Sequence, residues 1–270
     1  MLLEVTGAGL KGLGGRGKRR CAFTLLELLV VVAVMAILLS VLLPAIRSAR
    51  ASGQTIVCLS NMRQLQAAQL LYCNDHKGQL VDYGLGHGVV HDEESLSWYK
   101  DLLPYYDTPV AVRSPADTSP HWPVSQGGDG TAVPESQGTR FRKTSYGLNE
   151  MLTPRPPFDP EAGRQWFFDK IDRIKNPSSV IQFVIMAYEG EFSGSDHIHV
   201  SNWYSPFLPP DSAATLASNM MQVNAHGGMS AVSPDGRSNY TFLDGHAATL
   251  SFREVYTDPE RNKFDPRVAR

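Results

Sequence analysis

Glu27 is the residue with the sharpest chemical consequence, a lone carboxylate inside the apolar run from Phe23 to Leu43. A carboxylate in hydrocarbon costs roughly 2.5–3.5 kcal/mol on insertion scales, so it calls for a partner cation. Position alone also allows it to sit near the interface and snorkel toward water. Histidines offer a second chemistry. His197 and His199 alternate along the chain, so on a strand both point to one face, and His226 and His246 are the candidates to converge with them on a metal. No tight ligand spacing supports that set, and no loop carries the regular acidic spacing of a calcium site, so hydrogen bonding around turns is the expected role and no cofactor or metal is expected. Gly-x-Ser-x-Gly, His-Glu-x-x-His and a phosphate-cradling glycine loop are all missing from the sequence. A non-enzymatic chain is expected.

The elements that would position these residues are legible from patterning. As a helix, Phe23 to Leu43 spans roughly 30 Å at ~1.5 Å per residue, the thickness of a bilayer core. Ahead of it, residues 1–22 hold Lys11, Arg16, Lys18, Arg19 and Arg20 against Glu4, while Arg47 and Arg50 are the only charges soon after it. The excess of positive charge places the leader in the cytoplasm and the bulk of the chain across the membrane. Pro44 should kink the helix without ending it. Cys58, Met62, Leu65, Ala68 or Gln69, and Tyr72 then recur at the spacing of one helix face, so the helix continues to about Asn74, roughly 75–80 Å in all.

Further along, residues 108–140 are rich in Pro, Gly, Ser and Asp and read as a surface loop excursion. Trp98, Tyr105 and Tyr106 mark a short helix whose aromatic side is expected in the core. Ser179 to Ala187 reads as a buried strand. Asn239–Leu243, Asp244-Gly245 and His246–Phe252 read as a hairpin with a two-residue turn, with Leu243 facing His246 and Thr241 opposite Ala248. With 42% hydrophobic and 19% charged residues the chain can bury one core of moderate size, and its net charge of −2 gives no nucleic-acid footprint. Cys58 and Cys73 are too far apart on one helix to form a bridge.

Arg19-Arg20-Cys21-Ala22 followed by Phe23-Thr24-Leu25-Leu26-Glu27-Leu28-Leu29-Val30 resembles the class III signal of type IV prepilins and type II secretion pseudopilins. The resemblance implies that a prepilin peptidase cuts between Ala22 and Phe23 and methylates the new amine of Phe23. It also implies that this amine in one subunit pairs with Glu27 of a neighbour as the helices stack. The family usually has Gly before the cut; Ala22 is the smallest substitute. An ordinary secretory signal ending at Ala49-Arg50-Ala51, a twin-arginine signal at Arg19-Arg20 and a lipoprotein signal at Cys21 all fit the run less well.

The resemblance implies an α+β fold in which a long protruding N-terminal helix packs on a globular head with an antiparallel β-sheet. The domains expected are a cytoplasmic leader over 1–22, a transmembrane and assembly helix over 23–44, its amphipathic continuation over 45–75 and a periplasmic head over 76–270. Residues 58–83 are also similar to pseudopilin-like proteins of planctomycete and verrucomicrobial type, whose Cys-Pro-x-Asp landmark is here Ser114-Pro115-Ala116-Asp117. Their C-terminal signature, a His followed by Asp-Gly, is matched by Asp244-Gly245-His246. His226 lies 18 positions before Asp244, with an insertion over Met229 to Asn239 in between, and Asp235-Gly236 there is a second turn with no expected following strand. The function implied is a structural pseudopilin or minor pilin-like subunit of the inner membrane. Its implied partners are the prepilin peptidase, other pilin subunits, the inner-membrane assembly platform and lipid. A membrane-anchored periplasmic binding module that does not polymerise is the alternative.

Overall fold

The structure is a computed structural model that describes residues 24–85, 97–106, 112–134, 140–153, 168–204, 207–209 and 212–270. A long N-terminal helix, α1 (Leu25–Asp75), is followed by a globular part built on small sheets, an α+β arrangement of pilin-like type. The chain divides into two units, Met1–Arg47 and Ser48–Arg270.

In the first unit α1 is apolar on every side, and no residue from Leu25 to Arg47 is buried. Thr24 starts it. The Glu27 carboxylate accepts from the Thr24 amide (2.9 Å) and hydroxyl (3.0 Å), while the Glu27 amide donates to the Thr24 hydroxyl oxygen (3.2 Å). This reciprocal pair is a capping box, which satisfies donors that a helix start otherwise leaves open. Pro44 lies inside the helix, which runs on without interruption.

In the second unit α1 buries one stripe: Cys58, Asn61, Met62, Leu65, Gln66, Ala68, Gln69 and Cys73. The expected face is there, except that Cys73 is buried where Tyr72 stays half-buried. α1 stops at Lys77 and Gly78, both at positive φ, with the Gly78 amide bonded to the Cys73 carbonyl at 2.7 Å.

Around this stripe stand α2 (Trp98–Asp101), β1 (Tyr146–Asn149), β2 (Phe183–Ile185) and β3 (His197–Ile198). Trp98, Tyr146 and Phe183 pack with Met62 and Leu65 in one core cluster. β1 is central, antiparallel to β2 and parallel to β3, so the sheet is mixed where a wholly antiparallel one was expected. Next come α3 (Ala213–Ser218), the hairpin β4 (Arg237–Thr241) and β5 (Ala247–Ser251), α4 (Phe252–Val255), and the pair β6 (Tyr256–Asp258) and β7 (Arg261–Asn262). They enclose a second cluster around Trp203, Tyr240, Phe252 and Phe264.

Further expectations are corrected, first in the hairpin. The β4–β5 hairpin pairs Thr241 with Ala247 and Tyr240 with Ala248, one residue off the expected register. Its loop has three residues, Leu243, Asp244 and Gly245, because Phe242 bonds across to His246 and only Gly245 (φ +104) takes a left-handed conformation. That leaves Leu243 fully buried, its amide on the Val180 carbonyl at 3.0 Å, instead of facing His246. β4 also begins at Arg237, directly after Asp235-Gly236, so the turn inside the supposed insertion does lead into a strand. Second, the described part of the loop region, 112–134, has no strand but is not superficial. Trp122 is 1% exposed and Asp117 is buried against Arg142.

Candidate functional site

Ala22 and Phe23 lie outside the described residues. Glu27 lies in the first turn of α1, where it is occupied in closing the cap with Thr24. A carboxylate there also faces the positive end of the helix dipole. Sequence reading passed over Thr24; Thr-x-x-Glu just ahead of an apolar run was the signal.

The structure separates His226 from the Asp244-Gly245-His246 turn. His226 sits against α1: its Nδ1 lies 3.1 Å from the Thr55 hydroxyl. That hydroxyl lies 3.0 Å from the Ala51 carbonyl, and a hydroxyl has one proton to give. We therefore assign the Nδ1 proton to His226, donated to Thr55, which leaves Nε2 as a buried acceptor with no partner among the described residues. Burial pushes the imidazole pKa down to about 4. Gly245 instead lies near Leu70: a Cβ added there would sit 3.5 Å from the Leu70 Cδ1. Thr55 and Leu70 are 15 residues apart on α1, roughly 22 Å. Asp244 and His246 pair at 2.6 Å on the surface, with the His246 ring stacked on Phe242 at 4.1 Å.

Hydrogen bonds around His226 and along the hairpin fasten the hairpin to α1. The His226 amide bonds the Arg237 carbonyl and the Arg237 amide bonds the Gly227 carbonyl, both at 2.9 Å, joining His226-Gly227 to the start of β4. Gly228 (φ +82) allows this approach, since a Cβ there would lie 2.4 Å from the Asp235 carbonyl oxygen. Asn239 donates to the Thr55 carbonyl (3.2 Å) and Arg63 to the Ala247 carbonyl (3.2 Å). The Thr241 hydroxyl donates to Gln66, which itself donates to Gln182 at 2.8 Å. Each of these closes a buried or half-buried polar group that would be costly if left open.

His197 and His199 do point to one side, their rings 4.8 Å apart and edge to face. Each Nδ1 faces a carboxylate, His197 with Asp196 at 3.2 Å and His199 with Glu150 at 2.5 Å. Burial lowers the His197 pKa. His226 and His246 are engaged elsewhere, so the four histidines do not converge, and among the described residues no group of three or more His, Cys, Asp or Glu is placed to hold a metal. Asp196 is a structural hub: it accepts the Gly84 and Leu85 amides, each at 3.0 Å, and the Ser97 hydroxyl.

Cys58 and Cys73 are both free and buried. Cys58 lies in hydrogen-bonding contact with Ser114 and Tyr146, and burial raises its pKa. Ser114 is thus a neighbour of Cys58. Asp117 accepts from Arg142 (2.8 Å) and Ser145 (2.5 Å). Arg142 goes on to donate to the carbonyls of Ala187, Ser193 and Met186. This buried ion pair left no sequence signal, since a lone Arg 25 positions from a lone Asp carries no pattern.

Residues 17–43 match the family model of the prokaryotic N-terminal methylation motif. No curated protein and no solved structure matches the chain. The match covers the segment around Ala22, Phe23 and Glu27 and does not reach the Asp244-Gly245-His246 turn. The chain therefore carries a prepilin-type N-terminal motif, consistent with a type IV pilin-like protein. Among the described residues α1 is the one helix long and apolar enough to cross a membrane, which fits a single-pass anchor. A motif of this kind points to a structural subunit.

Proposed function

We propose that this chain is a structural pseudopilin or minor pilin-like subunit. A prepilin peptidase cuts it between Ala22 and Phe23 and methylates the Phe23 amine. The apolar helix then carries it into a type II secretion or type IV pilus-like fibre, in contact with other pilin subunits and the inner-membrane assembly platform. The methylation motif at 17–43, continuous with an apolar helix that holds one carboxylate, is the observation that supports this reading most. In the processed chain, residues 23–44 anchor and assemble, 45–75 continue the helix and 76–270 form the head. The positive leader stays cytoplasmic and the head is periplasmic.

Assembly neutralises two charges that are each expensive in hydrocarbon, the freed Phe23 amine and the Glu27 carboxylate of an adjoining copy. Glu27 would then have two roles, a cap within its own chain and a counter-ion for the next. Glu27→Gln separates them, since Gln can still accept from Thr24 but carries no charge. The expected result is normal processing, shown by an intact mass that begins at methylated Phe23, together with loss of fibre assembly and of crosslinks between neighbouring helices. A purified protein that keeps residues 1–22 beside a working prepilin peptidase would overturn the proposal. Wild-type assembly of Glu27→Gln would confine Glu27 to capping, whereas a processed wild-type protein that forms neither fibre nor helix crosslinks would leave the anchored, non-polymerising binding module as the better reading.

A further inference from the structure

The β4–β5 hairpin leaves one side of β5 without a neighbouring strand. Phe242 donates to the His246 carbonyl at 2.9 Å, so in the register of the two strands the bonded pairs are Tyr240 with Ala248 and Ser238 with Leu250. Ala247 and Thr249 therefore turn their amides and carbonyls away from β4. Their counterparts on β4 face the opposite way, as the Thr241 carbonyl shows by accepting the Gln182 amide at 2.9 Å. Among the described residues no backbone group meets Ala247 or Thr249 on the outward side. We propose that β5 is a latent pairing edge for a second copy of this chain, and that Arg63 and Arg237 hold it shut.

The occupant follows from the symmetry of the edge. A second β5 laid antiparallel about Ala248 sets Ala247 of each copy opposite Thr249 of the other, and each pair can exchange both outward hydrogen bonds. The strand itself does nothing to deter this, since Ala247-Ala248-Thr249-Leu250-Ser251 holds no charge and no proline. Its neighbours supply the deterrent. Arg63 of α1 donates to the Ala247 carbonyl at 3.2 Å and Arg237 donates to the Thr249 carbonyl at 3.0 Å, so the two acceptors that a second copy needs are the two that carry a guanidinium. A carbonyl has a second lone pair, so bulk and charge complete the block: pairing would crowd the arginines of one copy against those of the other. Both side chains are exposed, whereas Ala247 is buried and Thr249 half-buried beneath them. Because Arg63 belongs to α1, the seating of the helix on the head also closes the edge.

The test uses the full-length protein in detergent and reads amide hydrogen exchange residue by residue. Association through the apolar stretch of α1 gives the Thr249 amide no partner, so protection there is specific to this edge. In the wild type the Thr249 amide exchanges roughly tenfold or more faster than those of Ala248 and Leu250, which lie in the ladder. The double variant Arg63→Ala with Arg237→Ala gains roughly tenfold or more protection at Thr249, rising with protein concentration, while Ala248 and Leu250 stay protected. Lys at both positions keeps a charge and a donor, and exchanges as the wild type does. If the double variant loses protection at Ala248 and Leu250, Arg237→Ala alone, a change at an exposed side chain, decides the matter by the same reading. Slow exchange at Thr249 in the wild type, or a folded variant whose Thr249 amide stays open at every concentration, would overturn the proposal. So would protection that does not depend on concentration. None of these results bears on processing at Phe23, which the intact mass decides separately.

Discussion

On either side of Arg47, α1 is the same kind of helix in two different circumstances. From Leu25 to Arg47 its apolar side chains ring the axis and none is buried. From Ser48 to Asp75 eight side chains are buried, and three of them, Asn61, Gln66 and Gln69, are polar. A helix that is hydrophobic all round needs an apolar environment from outside the chain, lipid or neighbouring helices. The second stretch finds its environment in its own head, and the buried amides are part of the fit. Gln66 reaches Gln182 and Thr241 only in the observed rotation of the helix, so the hydrogen bonds that make its burial tolerable also define which face turns inward.

If this contrast holds, substitutions in the head and its helix should be costly where those in the apolar stretch are silent. The largest effect is expected at Arg142. Arg142→Ala leaves the Asp117 carboxylate buried without its cation, which typically costs ~3–5 kcal/mol, read as a fall in the denaturant midpoint of the detergent-solubilised protein. A loss below about 1 kcal/mol would mean that water replaces the guanidinium and that the 112–134 segment is less packed than described. Slightly smaller is Leu65→Ala, expected to cost ~2–5 kcal/mol because Leu65 is fully buried. Leu38→Ala, at a residue 64% exposed, should leave the same head transition within about 0.5 kcal/mol. Equal effects from the two leucines would erase the distinction between the stretches.

How much of this was readable from sequence follows the range of the interactions. α1, its passage through Pro44 and its buried face at Cys58, Met62, Leu65 and Ala68 were legible because they are periodic and local. The hairpin was legible too, but its register slipped by one. Asp-Gly between two apolar runs fits a two-residue or a three-residue loop equally well, and the choice was made by Leu243, which gains a core position only in the longer loop. Gln69 was legible as an alternative to Ala68 on that face, and both are buried, whereas Asn61 and Gln66 were illegible as buried residues, since their partners lie more than fifty residues away. The same holds for Arg142 with Asp117 and for Thr55 with His226.

The smallest effect, and the one most specific to the helix-to-head contact, concerns pH. Burial holds the His226 imidazole at a pKa of about 4, below the ~6.5 of an unfolded chain. Between those values the unfolded state binds more protons than the folded one, so stability rises with pH through this window and is fully present above about 6.5. As the pH falls toward 4 the contribution is lost, on the order of 1–2 kcal/mol once the partial exposure of the ring is discounted. His226→Gln keeps a donor for Thr55 and cannot titrate. Its denaturant midpoint should therefore change less between pH 7 and pH 4.5 than that of the wild type, with the difference appearing on the acid side. Parallel losses in the two proteins would show that the imidazole is already solvated where it meets Thr55, and the second stretch of α1 would then be held by Gln66, Asn239 and its apolar stripe without help from the His-Gly-Gly turn.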